Sequence, residues 1–118
     1  MAQLAWSGSR VTFTSGRRRI TVEVPREALN AKEVDGLVVV LFNWEGVRPL
    51  PTDCLDNVHA FDSQGNLVWK IQPFQWHQGS VYMSISVRDG KLWAYATPGF
   101  DVEVDPKTGR ILSSHFVK

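Results

Sequence analysis

The chain has 118 residues, a net charge of +1, and 43% hydrophobic against 21% charged residues. That length points to one domain over 1–118, able to bury a core without disulfides or a structural metal. Near-neutral charge speaks against coating a nucleic-acid backbone or sitting on anionic lipid. The lone Cys54 excludes an internal disulfide framework and fits a reducing, cytoplasmic setting.

From the N-terminus, MAQLAWSGSR lacks the basic-then-apolar pattern of a secretion signal. Val11 and Phe13 then alternate with polar neighbours, and so do Ile20, Val22 and Val24. Such alternation buries one face of a strand, because successive side chains point to opposite sides of a sheet. Ser15–Gly16 separates the two runs as a turn. Pro25 to Lys32 carries good helix formers behind a proline and is the one helix candidate, over 25–33. Leu37 to Phe42 is apolar throughout, which predicts a strand covered on both faces; it is far too short to span a bilayer.

Residues 43–56 and 72–79 read as irregular loops. Alternation resumes at Leu67, Trp69 and Ile71, at Val81, Met83, Ile85 and Val87, and at Phe100, Val102 and Val104. Trp93 and Tyr95 share the face opposite Leu92, Ala94 and Ala96. Asp89–Gly90 suits a two-residue hairpin turn. The expected fold is all-β, either a small antiparallel sandwich or two propeller-blade-like units, with an α+β variant if 25–33 is helical.

Two hairpins echo each other. Asp62 to Asn66 and Asp105 to Gly109 each run Asp, short loop, Gly, with the aspartates 43 residues apart. The Asp can accept hydrogen bonds from the loop backbone while Gly takes the left-handed conformation. With Val58, Ala60, Phe61, Trp69, Ile71, Tyr82, Ser84, Ile85, Tyr95, Phe100, Glu103, Pro106, Thr108 and Ile111, these residues resemble small uncharacterised bacterial proteins with quinoprotein-type, β-propeller-blade-like repeats. The resemblance covers about 57–113, and some members of that group sit in toxin–immunity neighbourhoods. It implies a blade-like fold and an immunity-type, protein-binding role. A closed propeller needs at least four blades and this chain has room for about two, so no quinone site carries over.

No phosphate-binding, dinucleotide, zinc or nucleophile-elbow motif is present. Cys54 could pair with His59, His77 or His115 as a nucleophile, but a small buried thiol is the commoner outcome. His59, Asp62, His77 and His115 have no spacing that forces them together on a metal. Arg10 with Arg17, Arg18 and Arg19 could meet phosphate, yet Arg18 and Arg19 point to opposite faces of a strand and suit a solvated sheet edge. The expectation is therefore a non-enzymatic interaction module without a catalytic, metal or cofactor site, bound to another protein rather than to a membrane or nucleic acid. Five tryptophans is a high count, and Trp44 and Trp76 fall in the two loops beside Arg48 and His77. Trp44, Arg48, Trp76 and His77 are thus the candidate contact residues: aromatics to anchor, Arg48 to pair with a carboxylate, His77 to donate or accept. Two alternatives stay open. One is a small-ligand or catalytic pocket between loops 43–56 and 72–79, with Asp53 or Asp56 beside His59 or His77. The other is nucleic-acid binding through Arg17–Arg19.

Overall fold

The computed structural model describes residues 3–43, 56–74, 81–97 and 99–117. Those residues are all-β, arranged as three antiparallel sheets. The N-terminal sheet holds β1 (Ala5–Ser7), β2 (Arg10–Ser15) and β3 (Arg18–Glu23). The middle sheet is a meander of β4 (Ala28–Val34), β5 (Leu37–Phe42), β6 (Val58–Phe61) and β7 (Leu67–Lys70). The C-terminal sheet is a second meander of β8 (Tyr82–Arg88), β9 (Lys91–Ala96), β10 (Phe100–Val104) and β11 (Ile111–Phe116). The echoed hairpins fall in the middle and C-terminal sheets, and a smaller sheet precedes these two.

The middle sheet lies between the other two, and β5 explains how. Val38, Val40 and Phe42 join Val11, Phe13, Ile20 and Val22 in one apolar cluster. Val39 and Leu41 join Val58, Trp69, Ile85, Leu92, Val102 and Val104 in another. One unbroken apolar strand thus supplies both seams, as its lack of alternation predicts. Each such side chain removed from water contributes roughly 1.5–3 kcal/mol before entropy is set against it.

The helix expected over 25–33 does not form. Ala28–Val34 is the edge strand β4, closed onto β5 by a tight turn at Asp35 (φ 50°) and Gly36 (φ 76°). Two effects together imitate a helical period. A bulge at Leu29 shifts the register between Ala28 and Asn30, and the strand buries residues on both faces. Ala28 and Ala31 enter the first seam and Val34 the second, giving buried residues every third position. Pairing with β5 overrides local helix propensity.

A second bulge corrects β8. Tyr82 pairs with Ala96 and Ser84 with Tyr95, so Met83 is the extra residue and lies 44% exposed. Tyr82 and Ile85 are buried in its place. Leu67, expected on the Trp69 face, is likewise exposed, because the β6–β7 register slips between Ala60 and Phe61.

The echoed hairpins are sheet-docking devices. Asp62 Oδ1 accepts from the Gln64 and Asn66 amides, and Asp105 Oδ1 accepts from the Lys107 amide. In each loop the glycine amide donates to the carbonyl of that aspartate. Gly65 (φ 87°) rests on Ile20 and Val22 of the preceding sheet, and Gly109 (φ 77°) rests on the Trp69 ring. A Cβ at Gly109 would come within 2.5 Å of that ring. The glycines are therefore required both for the backbone conformation and for the close approach.

Candidate functional site

The four residues expected to make contacts, Trp44, Arg48, Trp76 and His77, lie outside the described residues, as do Asp53 and Cys54. The other candidates are dispersed. His59 faces the first seam with its ring 4.9 Å from that of Phe42, buried rather than half-exposed, because β6 is an interior strand of a covered sheet. Burial, and then the charge of Lys70, push its pKa down to about 4. Asp62 is spent on its own loop, whose backbone amides hold its carboxyl below the ordinary range, the Asn66 amide foremost. His115 is on β11, in the other sheet. Among the described residues no group of three His, Cys, Asp or Glu could hold a metal. Arg18 and Arg19 are exposed on edge strand β3, and Arg10 reaches Glu23 at 3.6 Å in solvent. The candidate nucleic-acid surface is therefore an exposed strand edge in which Arg10 is paired with Glu23.

A cleft of about 360 Å³ between hairpin ends brings Glu33 near Thr14, Ser15 and Ser63. Among the described residues no histidine or cysteine lines it.

The most differentiated surface is the outer face of the C-terminal sheet. Leu92, Ala94 and Ala96 of β9 turn inward, so Trp93 and Tyr95 turn outward. Register fixes their neighbours: Ser84, Tyr95, Asp101 and His115 form one cross-strand row, and Ser86, Trp93, Glu103 and Ser113 the next. Arg88 reaches from β8 across β9. Its guanidinium lies 4.5 Å from the Trp93 ring centroid, and its Nη2 donates to Asp101 Oδ2 at 2.9 Å. The His115 ring sits 6.1 Å away, on the Trp93 indole. Trp93, Tyr95, Asp101 and Glu103 are half-buried, while the serines beside them leave the rings uncovered from above. Arginine stacking adds order to an aromatic that would otherwise be a loose hydrophobic surface. The same positions in the middle sheet hold Leu41, Val58, Ala60 and Trp69, buried under the next sheet. Among the described residues no sheet covers this face, and the aromatics persist among charged and hydroxyl groups.

That platform is held rigidly from behind. Asn57 is fully buried. Its Nδ2 donates to the Phe42 and Tyr82 carbonyls at 3.0 and 2.8 Å, and its Oδ1 accepts from the Tyr82 amide at 2.9 Å. The Tyr82 hydroxyl donates to the Gln72 carbonyl at 2.7 Å, and burial pushes its pKa up, keeping it protonated. Trp69 Nε1 donates to the Pro106 carbonyl at 2.8 Å. Sequence reasoning paired Trp93 with Tyr95 but missed Arg88, Asp101 and His115. Reading the outward positions of all four consecutive strands together would have found them.

The fold and this surface define an all-β domain of stacked antiparallel meanders with one aromatic-and-charged outer face. By its family match the chain belongs to the domain-of-unknown-function family DUF7957, which covers residues 1–116. No curated protein matches it. Among solved structures it is similar to the crystal structure of the computationally designed Ika8 protein, with a TM-score of 0.63 and 15% identity. The similarity covers 98% of this chain and 36% of that one, so this chain spans little more than a third of that protein's length. At this identity the likeness concerns fold alone. Among the described residues no helix is long and apolar enough to cross a membrane.

Proposed function

We propose that the chain is a non-enzymatic binding module that seats another protein on the outer face of its C-terminal sheet. The observation that carries this reading is Arg88 bridging the half-buried Trp93 to Asp101 on a face that nothing in the stack covers. Interfaces draw most of their energy from a few aromatic and arginine residues ringed by polar groups, which is the composition here. The mixed signs of Arg88, Lys91, Asp101 and Glu103 favour a partner with its own mixed charge over a polyanion. An immunity-type role in a bacterial cytoplasm, with the middle and C-terminal sheets as blade-like units, is the sharper form. The Asp62/Asp105 echo and the lone cysteine support it.

The test is comparative capture from host extract, using the wild-type chain, Trp93→Ala and Arg88→Ala, with Thr21→Ala on the opposite outer face as control. A specific partner retained by the wild type and the control but lost from the Trp93 variant is expected. Equal retention by all four would remove this face as the site.

A further inference from the structure

We infer that strand β11 is a self-association edge, through which two copies of this chain pair antiparallel and join their C-terminal sheets into one. Sheet edges carry unpaired backbone groups, and proteins protect them with short strands, charges, prolines or bulges. Five of the six edges here are protected. β1 has three residues, β3 carries Arg18, Arg19 and Glu23, β4 carries Lys32 and Glu33, β7 is short with Lys70, and β8 is interrupted by the bulge at Met83. By contrast, β11 is six residues, Ile111 to Phe116, without a charged residue or proline. Its register irregularity falls at Leu112, and from Ser113 to Phe116 the pairing with β10 is regular.

The apolar side chains on this edge are also uncovered: Leu112 is 57% exposed and Phe116 67%. The Val117 amide donates to the Gly99 carbonyl, toward the β10 side. Backbone groups alternate in direction along a strand, so those of Phe116 and Ser114 face the open edge.

The order of residues selects a second copy as the occupant. Antiparallel pairing about a two-fold axis at Ser114 sets Leu112 opposite Phe116 of the second copy, while Ile111, whose amide already donates to Gln72 Oε1, lies beyond the paired segment. It sets Ser113 opposite His115, and Ser114 opposite itself. Apolar meets apolar and polar meets polar at every step, twice over, as a two-fold interface requires. An unrelated extended segment would have to match this pattern by coincidence. The axis runs through the sheet, so both outer faces end on the same side of the joined sheet. The inference is independent of the proposed partner site.

The experiment is sedimentation velocity on the full chain over a wide concentration range, with circular dichroism and thermal melts to confirm folding. The wild type is expected to pass from monomer to dimer as concentration rises. Ser114→Lys places like charges directly opposite each other and should weaken association roughly tenfold or more. Ser114→Pro removes an edge N–H that β10 does not use, so it should fold and remain monomeric. Mixing Ser114→Lys with Ser114→Glu should restore the dimer. A wild type that stays monomeric throughout would overturn the inference, and so would one that stays monomeric while binding a synthetic peptide of residues 111–117. Dimers that persist unchanged in the Ser114 variants would place the interface elsewhere and overturn it equally.

Discussion

The two seams of the stack are built differently. Where the N-terminal sheet meets the middle sheet, the packing is mainly apolar: Val, Ile, Phe and Ala side chains with Gly65 set against Ile20 and Val22, the His59 ring on Phe42, and a backbone bond at the margin from the Ala28 amide to the Gly8 carbonyl. Where the middle sheet meets the C-terminal sheet, a similar apolar cluster is threaded by directional bonds from Asn57, Trp69, Gln72 and Tyr82. Apolar contact is tolerant of sliding and rotation, whereas a hydrogen bond has one good geometry. The second seam therefore fixes the position of the sheet that carries Trp93 through side-chain hydrogen bonds, and the first relies mainly on apolar contact.

Removing Asn57 tests that difference most severely. Asn57→Ala strands the Tyr82 amide and two carbonyls in the interior, at a cost of roughly 3–5 kcal/mol. Thermal unfolding should move down by about 10 °C or more. A shift of only a few degrees would mean that the seam holds without its polar anchor.

The paired glycines come next. Gly109→Ala forces a Cβ into the Trp69 ring at positive φ, for about 2–4 kcal/mol. Gly65→Ala meets the Cγ2 of Ile20, a side chain that can yield, and should cost about 1–2 kcal/mol. Denaturant titration of both variants ranks the seams directly, and the reverse order would contradict the assignment.

Acid tests the first seam. With a folded pKa near 4 against an ordinary value of 6.5, His59 binds its proton more weakly in the native state. Stability is therefore full above about pH 6.5 and falls as pH drops toward 4, by about 2 kcal/mol at pH 5. Asp62, whose carboxyl is held below its ordinary range, adds stability above the ordinary carboxylate range and loses it only as pH falls further still, so the two windows separate. His59→Gln should flatten the profile between pH 4 and 6.5 in urea titrations. An unchanged slope would assign the effect to other groups.

The smallest stability effect belongs to the outer face. Trp93→Ala should cost under about 1 kcal/mol in folding, yet about 2 kcal/mol or more in partner binding. Calorimetry of unfolding and of binding on the same variant shows whether the two quantities part in this way.

Much of this architecture is legible in the residues, and its failures share a cause. The alternation of Val11/Phe13, Ile20/Val22 and Val102/Val104 marks buried faces correctly, and the apolar run 37–42 marks a strand covered on both sides. Asp89–Gly90 closes the β8–β9 hairpin as its chemistry demands. The misread positions, Leu29, Leu67 and Met83, each sit at a register shift, where one extra residue moves the pattern by a face. Asn57 is invisible for a different reason. A single asparagine before a strand looks like any loop polar residue, and its three partners lie 15 and 25 residues away. Trp93 with Tyr95 was legible from alternation, whereas Arg88 and Asp101 enter only once strand order is known.

A sheet enclosed on both sides has no stable existence of its own. Without β2 and β3, the side chains of Val38, Val40 and Phe42 would face water; without β8 to β10, those of Val39, Leu41, Val58 and Trp69 would. Neither half can be trimmed away to leave a working remainder, and the three layers are bound to melt as one cooperative unit. A truncated product would present a bare greasy plane to its neighbours, which is a route to aggregation rather than to a smaller domain.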